Sequence, residues 1–137
     1  MKYLLDTNII SEAIKDRANQ HVVDWLSSID IEFCSLSVLT LGEIRKGVEK
    51  LSEGRKKQHL VQWLEIELIE KFHGRILKID ADVADKWGFI SAQLKISMPA
   101  IDTLIAATAL VHNHKLVTRN IKDFINIPGL ELVNPFE

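Results

Sequence analysis

The sequence predicts an α/β fold built on a mostly parallel sheet, and two observations predict it. Short apolar runs alternate with longer segments of helical periodicity, the pattern of strands joined by helical crossovers. Acidic residues then fall just after those runs or early in the helices that follow, at the edge where a parallel sheet gathers its ligand crevice. With 137 residues and 47% hydrophobic content, the chain suffices for one compact core, and residues 1–137 are expected to form one domain.

Taken in order, residues 3–6 read as the first strand, after which Thr7 or Asn8 can cap a helix carrying Ile9, Ile10, Ala13 and Ile14 at core spacing. A short helix with Val22, Val23, Leu26 and Ile29 follows. "IEFCSLS" is the second strand. Ser37 then caps a helix whose Val38, Leu41, Ile44, Val48 and Leu51 are expected to face the core. The polar "SEGRKKQ" enters a long amphipathic helix through Leu60, Val61, Leu64, Leu68 and Phe72, which Gly74 stops. "RILKI" supplies a third strand, and Asp80 caps a helix with Val83, Ala84, Trp87, Ile90 and Leu94 inward. Pro99 opens the helix "PAIDTLIAATALVHN" in its first turn. "KLVTR" and "LELV" are the last strands, joined by a loop containing "NIKDF" and the turn signal Pro128-Gly129.

Composition narrows the function. The net charge of −2 lacks the basic excess that announces a nucleic-acid partner, so any such partner must be argued locally. No apolar stretch approaches the roughly 20 residues that span a bilayer, and Asp6 comes too early for the apolar region of a secretory signal. A cytoplasmic protein without a membrane partner is expected. Cys34, the single cysteine, allows no internal disulfide and reads as a buried, inert thiol. The five histidines lack ligand spacing and read as surface or packing residues.

The acids carry the chemistry. Asp6 follows the first strand, Glu43 lies two turns into the helix after "FCSLS" and off its apolar stripe, and Asp102 sits in the first turn after Pro99. Asp123 and Asn120 follow "KLVT". Each has a plainer explanation: Asp6 as a helix cap, Glu43 paired with Lys46 or Lys50, Asp102 complementing a helix dipole, Asp123 as a loop acid. Jointly, clustered carboxylates repel unless a cation neutralises them. An all-oxygen donor set without histidine or cysteine selects Mg²⁺ or Mn²⁺, which suits phosphodiester hydrolysis by a metal-activated water. Arg45, Lys46, Lys50, Arg119 and Lys122 lie near the acids in sequence and can engage RNA phosphates or be ordinary exposed charges. Trp25, Trp63 and Leu64 can form an apolar face for a partner or be core.

"LLDTNIISE", "LSVLTLGEIRKGV", "IDTLIAATALVHNHKLVTRNIKDF" and "LELVNPF", in this order, resemble the PIN-domain family, specifically the VapC/FitB-like toxins of type II toxin–antitoxin systems. The resemblance runs almost end to end. It implies a five-stranded parallel sheet of order 3-2-1-4-5 flanked by helices, and a Mg²⁺- or Mn²⁺-dependent ribonuclease. It further implies a cognate VapB-like antitoxin, a homodimer, and DNA contact only through the antitoxin. Carried over, the family's first three acids fall on Asp6, Glu43 and Asp102, which become the expected metal ligands. Thr7 and Asn8 match the positions that orient a carboxylate or a water. Many members place an aspartate directly after the "TR" pair; here that position is Asn120, and Asp123 is the candidate substitute. The leading expectation is a toxin endoribonuclease using Asp6, Glu43, Asp102 and Asp123. A weakly catalytic or non-catalytic partner in a DNA-binding regulatory complex is the alternative, and a metal-dependent phosphatase on a similar sheet is the third reading.

Overall fold

The computed structural model describes residues 1–137. Five strands, β1 (Tyr3–Leu5), β2 (Cys34–Ser37), β3 (Ile76–Leu77), β4 (Lys115–Val117) and β5 (Leu132–Val133), form one sheet in the order β3-β2-β1-β4-β5. Every neighbouring pair is parallel, with Leu5 opposite Val117 and Leu4 opposite Ser35. Successive strand residues point to opposite faces, and the sequence uses this to build two cores. Leu5, Leu36 and Val117 join the core on one face, whereas Leu4 and Leu116 join the other.

Helices α1 (Thr7–Ala13), α2 (Gln20–Ser28), α3 (Val38–Glu49) and α4 (Arg55–Gln62) cover the first face. α4 continues without a break through a π-helical stretch, Trp63–Leu68, into α5 (Ile69–Lys71). Helices α6 (Ala81–Gln93), α7 (Ala100–Val111) and the short α8 (Ile121–Phe124) cover the second. α7 buries Ala106, Ala107 and Ala109, whose small side chains let it lie close to both α6 and the sheet. The chain runs β1-β2-β3 to one side and then crosses back to β4 beside β1, so the strand order reverses between β1 and β4. A crevice opens at the carboxyl ends of the strands at such a point.

The order 3-2-1-4-5 agrees with expectation, while several local elements differ. β1 stops at Leu5 because Asp6, rather than Thr7 or Asn8, is the N-cap of α1 and accepts a bond from the Thr7 N–H. Ile31–Phe33 of "IEFCSLS" is a 3₁₀ turn capped by Asp30, which leaves Phe33 exposed and shortens β2. "RILKI" and "LELV" contribute only two paired residues each, and "KLVTR" three. In α3, Ile44 and Val48 are buried but Val38, Leu41 and Leu51 are only partly so, and Thr40 takes a fully buried place instead. Ile14, Val23, Ala84 and Trp87 are exposed because α1 ends at Ala13 and α2 and α6 each present a narrow stripe inward. Pro99 precedes α7 as its N-cap, α7 ends at Val111, and "NIKDF" folds into α8 rather than a loop, burying Phe124. Gly74, at φ +79°, makes the reversal from α5 into β3.

Two substitutions test this burial pattern. Leu116→Ala, in a strand paired on both sides, should cost about 3 kcal/mol of unfolding free energy. Ile14→Ser, at a position that the helical periodicity alone marks as core, should stay within about 0.5 kcal/mol of the parent. Urea unfolding followed by circular dichroism checks both.

Candidate active site

The crevice is organised around Asp6. Its backbone N–H donates to the Val117 carbonyl at 2.9 Å, fastening the end of β1 to the end of β4. The side chain, 5% exposed, accepts from the Thr7 N–H on Oδ1 (2.8 Å) and from the Thr118 hydroxyl (2.8 Å) and Asn8 amide (3.2 Å) on Oδ2. An ionised carboxylate offers about four lone-pair sites. Oδ1, with one partner against two on Oδ2, therefore keeps the uncommitted one.

Thr118 and Asn8 are themselves locked. Thr118, fully buried, accepts from the Asn120 N–H (3.0 Å) and the Asn8 amide (3.3 Å), while the Asn8 carbonyl oxygen accepts from the Arg119 N–H (3.1 Å). Thr7 reaches the other way: its hydroxyl donates to Glu43 Oε1 at 2.6 Å, the short length of a charge-assisted bond. The buried Thr40 hydroxyl lies 3.5 Å from it. Neither Thr118 nor Thr40 is among the site residues expected from sequence. The available signal for Thr118 was its position, since it closes the apolar run of β4 as Asp6 closes that of β1.

The expected acids converge from all three layers: Asp6 from the sheet, Glu43 from α3 on one face, Asp102 from α7 and Asp123 from α8 on the other. Their fields overlap. Burial, offset in part by its hydrogen bonds, raises the pKa of Asp6, and Glu43 adds to the rise. Asp102 accepts no hydrogen bond and is pushed up to about 6 by burial first, then by Asp6, Glu43 and Asp123. None of the four acids belongs to any of the molecule's ion pairs, so the plainer pairing of Glu43 with Lys46 or Lys50 does not form. Asp6, by contrast, is a helix cap as well as a crevice acid. Asn120 is exposed at the N-cap position of α8, and its side chain makes no capping bond.

Other expected candidates fall elsewhere. Arg45 is committed to Glu49 (3.0 Å) and Glu65 (3.2 Å), and Arg119 lies over the Phe136 ring at 4.8 Å. Lys46 and Lys50 are exposed; Lys122, also exposed, is the exception and lines a cleft together with Asp102 and Asp123. Leu64 is core, and Trp25 and Trp63 pack against the first core, Trp25 edge-on to Tyr3, so these three make no free apolar face. Cys34 is buried and its thiol is raised to about 11, an inert group. His114 bridges the His112 carbonyl and Ser35 at the far end of the sheet.

As placed, no three of these side chains close a cage around one point. A Mg²⁺ site with one or two direct carboxylates and several waters needs no such cage. The donor chemistry fits that ion: oxygen-only, anionic, mutually repelling and engaged in no ion pair.

A family model described as PIN domain matches residues 3–130. The chain is a PIN domain. Toxin FitB of Neisseria gonorrhoeae is 40% identical over 124 residues, spanning 88% of this chain and 89% of that protein. VapC ribonuclease Y4jK of Sinorhizobium fredii is 34% identical over 98% of this chain and 97% of its own length. Among solved structures, FitAcB from Neisseria gonorrhoeae superposes with TM-score 0.92 at 38% identity, covering 98% of this chain and 99% of that one. VapBC2 from Rickettsia felis, bound to a DNA fragment from their promoter, gives 0.80 at 27% identity and 98% coverage of both chains. The PIN domain's relatives are thus VapC- and FitB-type toxins.

Asp102 makes this PIN domain's stability depend on pH. A carboxyl whose pKa is raised in the folded state favours folding below its ordinary 3.8 and loses that advantage as pH climbs through about 6. Asp102→Asn should therefore raise Tm at pH 7.5 by about 4 °C and leave it unchanged near pH 4, as scanning calorimetry would show. Thr118→Val strips the hydroxyl from Asp6 and leaves the Asn120 N–H without its acceptor. It should cost about 2 kcal/mol in urea unfolding at pH 7.5.

Proposed function

We propose that this PIN domain is a Mg²⁺- or Mn²⁺-dependent endoribonuclease, the toxin of a VapBC-type toxin–antitoxin pair, acting on RNA in the cytoplasm. The observation that carries the reading is the gathering of four unneutralised carboxylates at the carboxyl edge of the sheet, in a chain whose relatives include proteins named VapC ribonucleases. Asp6 and Asp102 are assigned to hold the ion directly and Glu43 to hold it or orient its waters, with Asp123 and Asn120 completing the surround. A bound divalent ion supplies positive charge to the scissile phosphodiester and lowers the pKa of water at the site.

The protein's own groups do the positioning. Thr118 and Asn8 fix the rotamer of Asp6, so that Oδ1 is the oxygen left for a ligand. Thr7 fixes Glu43. Holding these groups before substrate arrives removes the reorganisation that a flexible acid cluster would require in the transition state. The neutral Asn120 lessens repulsion at the fourth position, where Asp123 remains the exposed acid.

Partners follow from chemistry and from the relatives. A cleft of about 640 Å³ that includes Glu43 is lined by Ile44, Val48, Leu51 and Leu60 together with the charged Lys15, Asp16 and Lys56. Such a surface suits a segment of a VapB-like antitoxin, through which the toxin would reach DNA. Trp87 and Ile101, exposed on the paired helices α6 and α7, support a homodimer through that side.

The deciding experiment incubates purified, partner-free protein with total cellular RNA in Mg²⁺, Mn²⁺ or EDTA, beside Asp102→Ala. Discrete fragments should appear with either metal, vanish in EDTA, and fall at least about a hundredfold in the variant, the usual loss of a principal electrostatic group. Cleavage in EDTA, or an undiminished variant, overturns the assignment. Intact RNA together with DNA binding by the antitoxin complex would favour the partner-only alternative, and turnover of a small phosphoester alone would favour a phosphatase.

A further inference from the structure

On its other flank the acid cluster opens into a cleft of about 600 Å³ between the end of α6, the connection from Leu94 to Pro99, and α8. Asp102 and Asp123 form its inner end, so whatever fills it lies against carboxylates assigned to the reaction. The volume is that of a small-molecule site, roughly 300–1,000 Å³. Its lining differs from that of the cleft beside Glu43 in one respect. Both clefts mix charged and apolar side chains, but only this one carries side-chain amides, Gln93 and Asn126, among its cations and apolar groups.

Three sets of side chains set the ligand chemistry. Lys95 and Lys122, both exposed, bring positive charge next to the acids. Gln93 and Asn126 are also exposed, and each amide presents a donor and an acceptor, the combination that pairs with the edge of a nucleobase. Ile96 is 77% exposed, an isoleucine left in water above a polar cleft, with Met98 beside it. Apolar side chains in that setting gain by being covered by a flat apolar face. Single-stranded RNA offers all three complements at once: phosphate, base edge and base face.

We infer that this cleft seats the nucleotide adjoining the cleaved phosphodiester. Ile96 and Met98 cover the face of its base, Gln93 and Asn126 read its edge, and Lys95 and Lys122 hold a flanking phosphate. The inference rests on the nuclease reading of the acid cluster and adds to it the place where base identity is sensed. Because the platform is aliphatic rather than aromatic, discrimination falls on the two amides.

Two measurements test it. In the first, ¹⁵N-labelled protein with Mg²⁺ is titrated with each of the four nucleoside 5′-monophosphates, following the side-chain amide signals of Gln93 and Asn126. Saturable shifts should centre on the cleft, and Asn126→Ala should erase the differences among the four nucleotides. In the second, a randomised RNA library is cleaved and its ends mapped. The base preference at one position beside the cut should drop at least about fivefold in Gln93→Ala or Asn126→Ala, and Lys122→Gln should flatten the salt dependence of RNA binding by about 0.7 in log–log slope. All three positions are exposed, so the variants should fold as the parent does. Shifts confined to residues away from the cleft, or cleavage preferences unchanged in both amide variants, overturn the inference while leaving the nuclease standing. Saturable cleft shifts in a protein that cuts no RNA would instead overturn the nuclease reading and, with it, the placement of the nucleotide beside a cut, leaving only nucleotide binding in the cleft.

Discussion

Like charges have to be held together at one edge of this sheet without an ion-pair partner, and the hydrogen bonds converging on Asp6 make that possible. Thr118 donates to it across the gap between β1 and β4, Asn8 ties the same oxygen to the following loop, and the backbone of Asp6 is itself bonded to β4. The register that pairs Leu5 with Val117 places Asp6 beside Thr118. A slip of one residue would turn both to opposite faces and exchange the two cores. The fit of the apolar residues and the geometry of the site are therefore one constraint: Leu4 and Leu5 lock the register, and the register sets the carboxylate.

The three-layer architecture explains why the acids come from distant parts of the chain. Glu43 arrives from the helices on one face, Asp102 and Asp123 from those on the other, and the sheet supplies Asp6 between them. No single helix could present these groups around a common space. Asp102 bears the electrostatic consequence. It lacks hydrogen bonds, feels three other acids, and holds its proton up to about pH 6. Local rules broken in this way, with the cost met elsewhere in the fold, are usual at functional sites.

Much of this was legible beforehand. Glu43 could be placed off its helix stripe by counting threes and fours, and Asp102 in a first turn by the proline before it. The ends of elements were less legible. Phe33, Ile14 and Trp87 carry apolar side chains at plausible core spacing, yet each is at least a third exposed. Periodicity reports which residues share a face and says nothing of how far the neighbouring element extends to cover them. Short strands fail for a related reason: β3 and β5 pair over only two residues each, so their limits are set by partner strands rather than by their own composition.

By itself, then, the sequence determined the alternation that dictates a parallel sheet, the acids that follow its strands, and the motifs by which a PIN domain is recognised. Tertiary structure alone decided that Thr118 bonds Asp6 and Thr40 lies beside Thr7, that Arg45 is spent on Glu49 and Glu65, and that the acids border two separate clefts. The physical reason is distance along the chain. Thr118 lies 112 residues from the carboxylate it holds, and no local propensity or spacing encodes a hydrogen bond made only when two strands come to lie side by side.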